Sequence, residues 1–427
     1  MQNLLRLCFI ILTVSWIQAC SVNPVTGERE LSLMSAEQEV AMGEQYYLAS
    51  QQQQGGRYVV DPDLNVYVAN VGRKLAAKSD RPNLPYEFVV LNNSTPNAWA
   101  LPGGKIAINR GLLVLLDDEA QLAAVMGHEI VHAAARHGAQ QQSRAAILQM
   151  GMQVAQVASS NTGYGDLIAA GAGAGAQLYI SKYGRDQELQ SDKYGVEYMV
   201  AAGYNPYAAV ELQQTFVKLS ESHAQDWLQG LFASHPPSQE RVEKNQQLAN
   251  QYGNKGVRNQ AAYQRAIQQL KRDKAAYDLH DQALKAASAN DLSKALNLTK
   301  QAISKQPNEA LFYVTKGQIE LSENQISTAK STFSRAIQLN PEYYTGHLGL
   351  GLIAKEQKQY GTAKQYLEKS VALLPTQVAM FHLGELELND GNQTKAAEYF
   401  SVVAQQGGEL GEKAQIYLNK LQPASAG

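Results

Sequence analysis

Cysteine is almost missing from this chain. Its 427 residues include two, Cys8 and Cys20, both near the N-terminus, so no disulfide framework braces the remainder. Charge is sparse as well. Charged residues make up 18%, with 37 basic against 39 acidic side chains and a formal net charge of −2. That balance carries no basic footprint for nucleic acid, and no nucleic-acid partner is expected. Glycine and proline number 33 and 13 while hydrophobic residues reach 44%, which excludes a collagen-like or disordered chain. Past Cys20 no apolar run approaches the roughly 18 residues of a membrane span. Glutamine replaces much of the missing charge, as in Gln51 to Gln54 and Gln140 to Gln142. What is present is length, enough for two or three domains at roughly 150 residues each.

The first residues read as an address. Arg6 is followed by an uncharged, mostly apolar run from Leu7 to Ile17. This is too short to span a bilayer and fits the apolar region of a secretory signal. Ile17-Gln18-Ala19-Cys20 resembles a bacterial lipobox, so residues 1–19 are expected to be removed and Cys20 lipidated. Ser21 after that cysteine resembles an outer-membrane sorting signal, which implies a periplasmic protein anchored to the outer membrane. The competing reading is ordinary secretion with a nearby cut.

Periodicity divides the rest. Residues 20–56 hold a turn-rich start and a helix from Ala36, with Ser35 and Gln38 placed for a capping box. Residues 57–250 alternate helices with strand-like segments at Tyr86 to Leu91 and Ala98 to Asn109. One long helix is expected from Asp117 to about Met150, and another from about Ser181 to Ala202. Residues 251–275 read as a helical connector. In 276–421, Pro307, Pro341 and Pro375 recur every 34 residues, as do Ala295, Ala329 and Ala363. Phe333, Leu367 and Phe400 fall near one packing position. This pattern resembles tetratricopeptide repeats, three clear ones and a fourth near 378–409. His280, His347 and His382 lie in that region and read as packing or surface residues.

The chemistry concentrates between His128 and Asp192. His128-Glu129-Ile130-Val131-His132 puts two imidazoles at i and i+4 on one helical face, with a carboxylate beside them. Such a pair can hold a zinc ion, and Glu129 can act on water at it. A third ligand is needed. His137 is a candidate by proximity, but Gly138 stands where the three-histidine pattern needs its last histidine. Glu188 and Asp192, four apart, are better placed: one to bind, the other to orient a histidine. A solvated acidic face is the bland reading of that pair, and Asp186 and Glu197 compete with it.

These motifs, taken together, resemble the bacterial lipoprotein branch of the metallopeptidases that include the CAAX prenyl protease (family 48). The resemblance rests on Asn23-Pro24-Val25-Thr26-Gly27, on Asn97 to Gly104 with Asn109 to Leu113, on His128 to His137, and on Glu188 to Asp192. It continues through Ala202 to Pro206 and Ser234-His235-Pro236 with Arg241, covering about residues 20 to 245. The family usually has Ser and Ala where Gly184 and Ser191 stand here. The resemblance implies a mainly α fold: an α+β peptidase domain with a small sheet, then an all-α repeat solenoid. It implies one Zn2+ held by His128, His132 and Glu188, with Glu129 as general base and Asp192 orienting a ligand. His235 and Arg241 are the expected further catalytic donors, and His223 a weaker one. His235 alternatively fills the open zinc position and keeps the enzyme latent. Lys105, Ile106 and Ala107 are expected to form an edge strand that binds substrate through its backbone.

The implied activity is hydrolysis of misfolded or stalled envelope proteins. The repeats would hold unfolded polypeptide or the outer-membrane assembly machinery, and the lipid anchor would give membrane contact. The rival is a chaperone or scaffold for outer-membrane assembly with a latent peptidase. A prenyl-protein protease is disfavoured for want of intramembrane helices.

Overall fold

The computed structural model describes residues 20–147, 183–221 and 229–421. The signal segment 1–19, Cys8 and His223 lie outside the described residues. The chain separates into two units, Met1–Tyr47 with Pro62–Gln268, and Leu48–Asp61 with Gln269–Gly427.

In the first unit, Asn23 sets the opening turn: its Oδ1 accepts from the Val25 amide at 2.9 Å. The turn joins strands β1 (Cys20–Val22) and β2 (Arg29–Leu31), which pair antiparallel. Helix α1 (Ala36–Gln53) starts with the expected capping box, Ser35 and Gln38 each bonding the other's backbone amide. Helix α2 (Pro62–Ala76) carries proline at its start, where no amide is needed, and buries Leu64, Val68 and Leu75.

A three-stranded sheet follows: β3 (Glu87–Leu91), β4 (Ala98–Leu101) and β5 (Lys105–Asn109). Its order is β3-β5-β4, with β5 parallel to β3 and antiparallel to β4. The expectation for Lys105, Ile106 and Ala107 is therefore corrected. They sit in the central strand, paired on both sides and buried, and offer no edge to a substrate. The turn at Pro102-Gly103-Gly104, with φ of 79° and 86° at the glycines, folds β4 back onto one side of β5. Parallel β3 then takes the other side. Lys105 is tolerated inside because its ammonium pairs with Glu87.

Helix α3 (Glu119–Ala134) is capped by Asp118, which accepts from the Gln121 amide at 2.9 Å. The single helix expected to Met150 is broken. Arg136 takes φ 64°, and helical structure resumes over 137–147. Arg136 is held there by Glu39 and by the Met34 carbonyl. Glu39, buried in α1, also pairs with Arg81 at 2.9 Å.

Helix α4 (Arg185–Ala201) packs along α3 and ends before Gly203, where φ is 84°. The crossing needs Gly127 and Gly195. A Cβ on Gly127 would lie 2.9 Å from the Gly195 carbonyl oxygen, and one on Gly195 3.0 Å from the His128 nitrogen. Helices α5 (Tyr207–Glu221) and α6 (Gln239–Tyr252) pack beside them.

The second unit stacks helix pairs: Gln268–Ser288 with Leu292–Lys305, Ala310–Ser322 with Ile326–Leu339, Tyr344–Glu356 with Tyr360–Leu373, and Gln377–Asn389 with Gln393–Gln405. Helix Gly408–Leu421 follows. The 34-residue pattern has a direct physical meaning. A Cβ on Gly317, Gly351 or Gly384 would collide with Phe333, Leu367 or Phe400 respectively, the large residue of the same pair. His280 bonds Thr315 at 2.8 Å and His347 bonds the Pro341 carbonyl at 2.8 Å, both packing roles.

Candidate metal centre

Because α3 is regular through its middle, His128 and His132 project from one face and their Nε2 atoms stand 3.0 Å apart. Helix α4, brought close by Gly127 and Gly195, supplies Glu188. Its oxygens lie 3.5 Å from His128 Nε2 and 3.3 Å from His132 Nε2. Ligands about 2.0–2.1 Å from a tetrahedral ion stand about 3.3–3.4 Å from each other, so this spacing suits zinc. His235, just after helix Gln229–Ser234, completes the set. Its Nδ1 is 3.3 Å from His128 Nε2 and 3.1 Å from Glu188 Oε1. All four side chains are buried, with donor atoms within 4.8 Å of one another.

Charge supports the same reading. Glu129, Glu188 and Asp192 are buried with one guanidinium, that of Arg241. Three carboxylates and three histidines gathered in one buried volume make a donor-rich site of the kind that holds a divalent cation. Burial pushes the Glu188 carboxyl up, but the charges of His128 and His235 outweigh it and hold it well below the usual range. Burial keeps the His132 imidazole neutral and lowers His137 to about 4. Burial raises the Glu129 carboxyl against the pull of His235 and His128. Glu129 Oε2 and His235 Nε2 have no hydrogen-bond partner, and His235 Nε2 lies 3.6 Å from Glu129 Oε1.

Behind the donors, Asp192 Oδ1 sits 2.9 Å from His128 Nδ1, on the nitrogen turned away from the other donors. The expected role of Arg241 as a free donor to substrate is corrected. Its Nε and one terminal nitrogen donate to Asp192 at 2.6 and 2.7 Å. The other reaches Glu188 at 2.8 Å and the Pro236 carbonyl at 3.1 Å. Arg241 thus fixes both carboxylates and the His235 loop. It holds the Asp192 carboxyl low against the opposing effect of burial.

Three contacts behind the donors depend on the fold rather than on spacing within a motif. His137 Nδ1 lies 2.9 Å from His132 Nδ1, brought there by the left-handed Arg136. Its Nε2 meets Gln190 Oε1 at 2.5 Å, and Asn23 reaches the same oxygen at 3.5 Å, so the opening turn buttresses the centre. Tyr183 stacks on His132 with ring centroids 3.8 Å apart. Its phenol is pushed up by burial and by Glu129 and Glu188, so it stays protonated at neutral pH. No local signal marks Tyr183. A cavity opens beside His128 and Glu129, with Leu112, Val125, Val196, Met199, Leu212 and Phe216 among its walls.

Comparison with known proteins agrees with this geometry. Residues 62–249 match peptidase family M48, and residues 310–343 and 345–376 match tetratricopeptide repeats. The chain is 25% identical over 341 residues to the beta-barrel assembly-enhancing protease of Yersinia pestis, covering 73% of this chain and 69% of that one. It is 28% identical over 237 residues to the protein of that name from Escherichia coli K12, covering 53% of this chain and 47% of that one. With the mitochondrial metalloendopeptidase OMA1 of Schizosaccharomyces pombe it shares 27% over 223 residues, covering 52% of this chain and 64% of that one. The chain thus spans about half the length of the Escherichia coli relative. Residues 62–249 thus carry a peptidase family M48 domain, the buried His, His, Glu and His group lies within it, and tetratricopeptide repeats follow.

Proposed function

We propose that this protein is a zinc endopeptidase of the bacterial periplasm that cleaves misfolded or stalled outer-membrane proteins. The carrying observation is the convergence of His128, His132 and Glu188 at tetrahedral spacing beside a buried Glu129 whose Oε2 has no hydrogen-bond partner. The names of its relatives support the client class. In this reading residues 1–19 are a signal, Cys20 carries a lipid, and the repeats hold the client or the assembly machinery.

His128, His132 and Glu188 would hold the ion, and Asp192 and Arg241 hold those side chains in place. When bound, a zinc ion would supply Lewis acidity to a carbonyl and to a water at the site. Glu129 takes the proton of that water and passes it to the leaving amine nitrogen. Burial raises its carboxyl, which suits it to accept and return a proton. Tyr183 packs the exposed face of His132 and keeps water from the ligand.

A second reading has a specific observation in its favour. His235 Nδ1 lies 3.3 Å from His128 Nε2 and 3.1 Å from Glu188 Oε1, so it could serve as a fourth ligand in place of a substrate oxygen. This arrangement is a latent one, and release of His235 would open the site. The test is hydrolysis of an unfolded β-barrel protein by the zinc-loaded full chain, by Glu129→Gln and by His235→Ala. Cleavage by the wild type and not by Glu129→Gln supports the peptidase. A faster His235→Ala supports latency. Equal cleavage by wild type and Glu129→Gln contradicts the assignment of the base.

A further inference from the structure

The two histidine donors on α3 are backed differently. Behind His128 stands the Asp192 carboxylate. Behind His132 stands a second imidazole, with His137 Nδ1 at 2.9 Å from His132 Nδ1. Five residues along a regular helix would put His137 about 140° round from His132. The left-handed Arg136, φ 64°, brings it back. A neutral imidazole donates at one nitrogen and accepts at the other, so one proton lies between the two Nδ1 atoms and either ring can carry it. If His137 carries it, the proton of His132 sits on Nε2, aimed at the other donors, and excludes an ion. If His132 carries it, its Nε2 lone pair is free for an ion.

The contacts behind His137 decide between the two. They start at the backbone amide of Val25, which can only donate. It donates to Asn23 Oδ1 at 2.9 Å, which fixes that side-chain amide. Asn23 Nδ2 then donates to Glu30 Oε1 at 3.0 Å and to Gln190 Oε1 at 3.5 Å. His137 Nε2 meets the same Gln190 oxygen at 2.5 Å. An amide oxygen only accepts. His137 therefore keeps its proton on Nε2, leaves Nδ1 bare, and takes the Nδ1 proton of His132. Asn23, His132 and His137 are at most 2% exposed, so water offers no competing partner.

We propose that His137 is a positioning residue for the metal centre. It accepts the Nδ1 proton of His132, at the end of a hydrogen-bond chain that begins in the Asn23 turn, and so turns the His132 Nε2 lone pair toward the other donors. A neutral acceptor does for His132 what Asp192 does for His128. It does so without a further carboxylate in a volume that already buries Glu129, Glu188 and Asp192. The inference rests on the metal-binding part of the proposed function and is independent of which peptide is cut.

The test reads metal binding and needs no turnover. Zinc affinity of the full chain is measured in competition with a chelating dye for the wild type, His137→Leu and His137→Asn. Leucine removes the acceptor, while asparagine returns an oxygen close to where Nδ1 stood. The leucine variant is expected to lose about 10–100-fold in affinity, and the asparagine variant to come back to within about threefold of the wild type. His137→Phe gives the same readout should the leucine variant not fold. The visible spectra of the cobalt-loaded chains should agree, with the wild-type bands kept by asparagine and shifted by leucine. Wild-type affinity in the leucine and phenylalanine variants overturns the proposal. An equal loss in the asparagine and leucine variants overturns it as well, since His137 would then serve packing alone. A wild type that binds no zinc removes the metal centre itself, and the proposal with it.

Discussion

Glu129 and Asp192 are both buried carboxylates in one small volume, yet their surroundings give them different work. Asp192 is saturated by Arg241 and His128, while Glu129 has an oxygen with no partner. Glu129→Gln should therefore lower peptide hydrolysis by about 10²–10⁴-fold while the protein keeps its metal, since Glu129 is outside the donor set. Kinetics and metal analysis on one preparation check this. Asp192→Asn should act on the metal instead. It frees His128 to rotate and strips Arg241 of its main partner, and zinc affinity should fall about 10–100-fold in competition with a chelating dye. At this scale the sequence was informative where the geometry is local. Two histidines four apart on a helix share a face whatever lies around them. Arg241 was recognisable only as a residue of the site. That its donors end on Asp192 and Glu188 depends on α4, about fifty positions earlier in the chain, and no spacing encodes that.

At the scale of elements, the crossing of α3 and α4 decides whether the donors meet. Gly195→Ala would put a methyl 3.0 Å from the His128 nitrogen. The helices must then separate, at a cost of about 1–3 kcal/mol and with weaker zinc binding, read by thermal melting and metal titration. The helix itself was legible from its acidic start and apolar face. Its interruption was not, because arginine is no turn signal and the left-handed Arg136 is held by Glu39, about a hundred residues away. The sheet failed in the reading for a similar reason. Alternation marks a strand, but only pairing with β3 and β4 makes β5 central. The repeats were legible because each contact recurs within one 34-residue unit. Within them, Glu387 is fully buried beside Lys364, Lys395 and Asn392. Burial alone would raise its carboxyl, yet those donors lower it to about 2 from 4.5. A lowered folded value stabilises above the unfolded value and is lost as pH falls through the folded one. Stability of the repeats should therefore drop by about 2 kcal/mol between pH 4.5 and 2, and Glu387→Gln should flatten that arm of the profile. Denaturant titrations across that range check it.

Across the whole molecule, every donor atom lies in the first unit, between His128 and His235, and the described repeats contribute none. Removing the metal should lower the melting temperature of the peptidase unit by several degrees, since bound zinc favours only its folded form. The transition of the repeats should not move. Calorimetry with and without a chelator distinguishes the two. No helix among the described residues is long and apolar enough to cross a membrane. The membrane attachment proposed above is a lipid at Cys20. Treatment with the lipoprotein signal peptidase inhibitor class should leave the precursor uncut, and Cys20→Ala should release the protein from the membrane fraction. Zinc content tests the central claim most directly. The purified full chain and its Glu188→Gln variant are compared by elemental mass spectrometry. The account predicts one zinc per wild-type chain and a marked loss in the variant. Absence of zinc from the wild type, or equal zinc in both proteins, would contradict it.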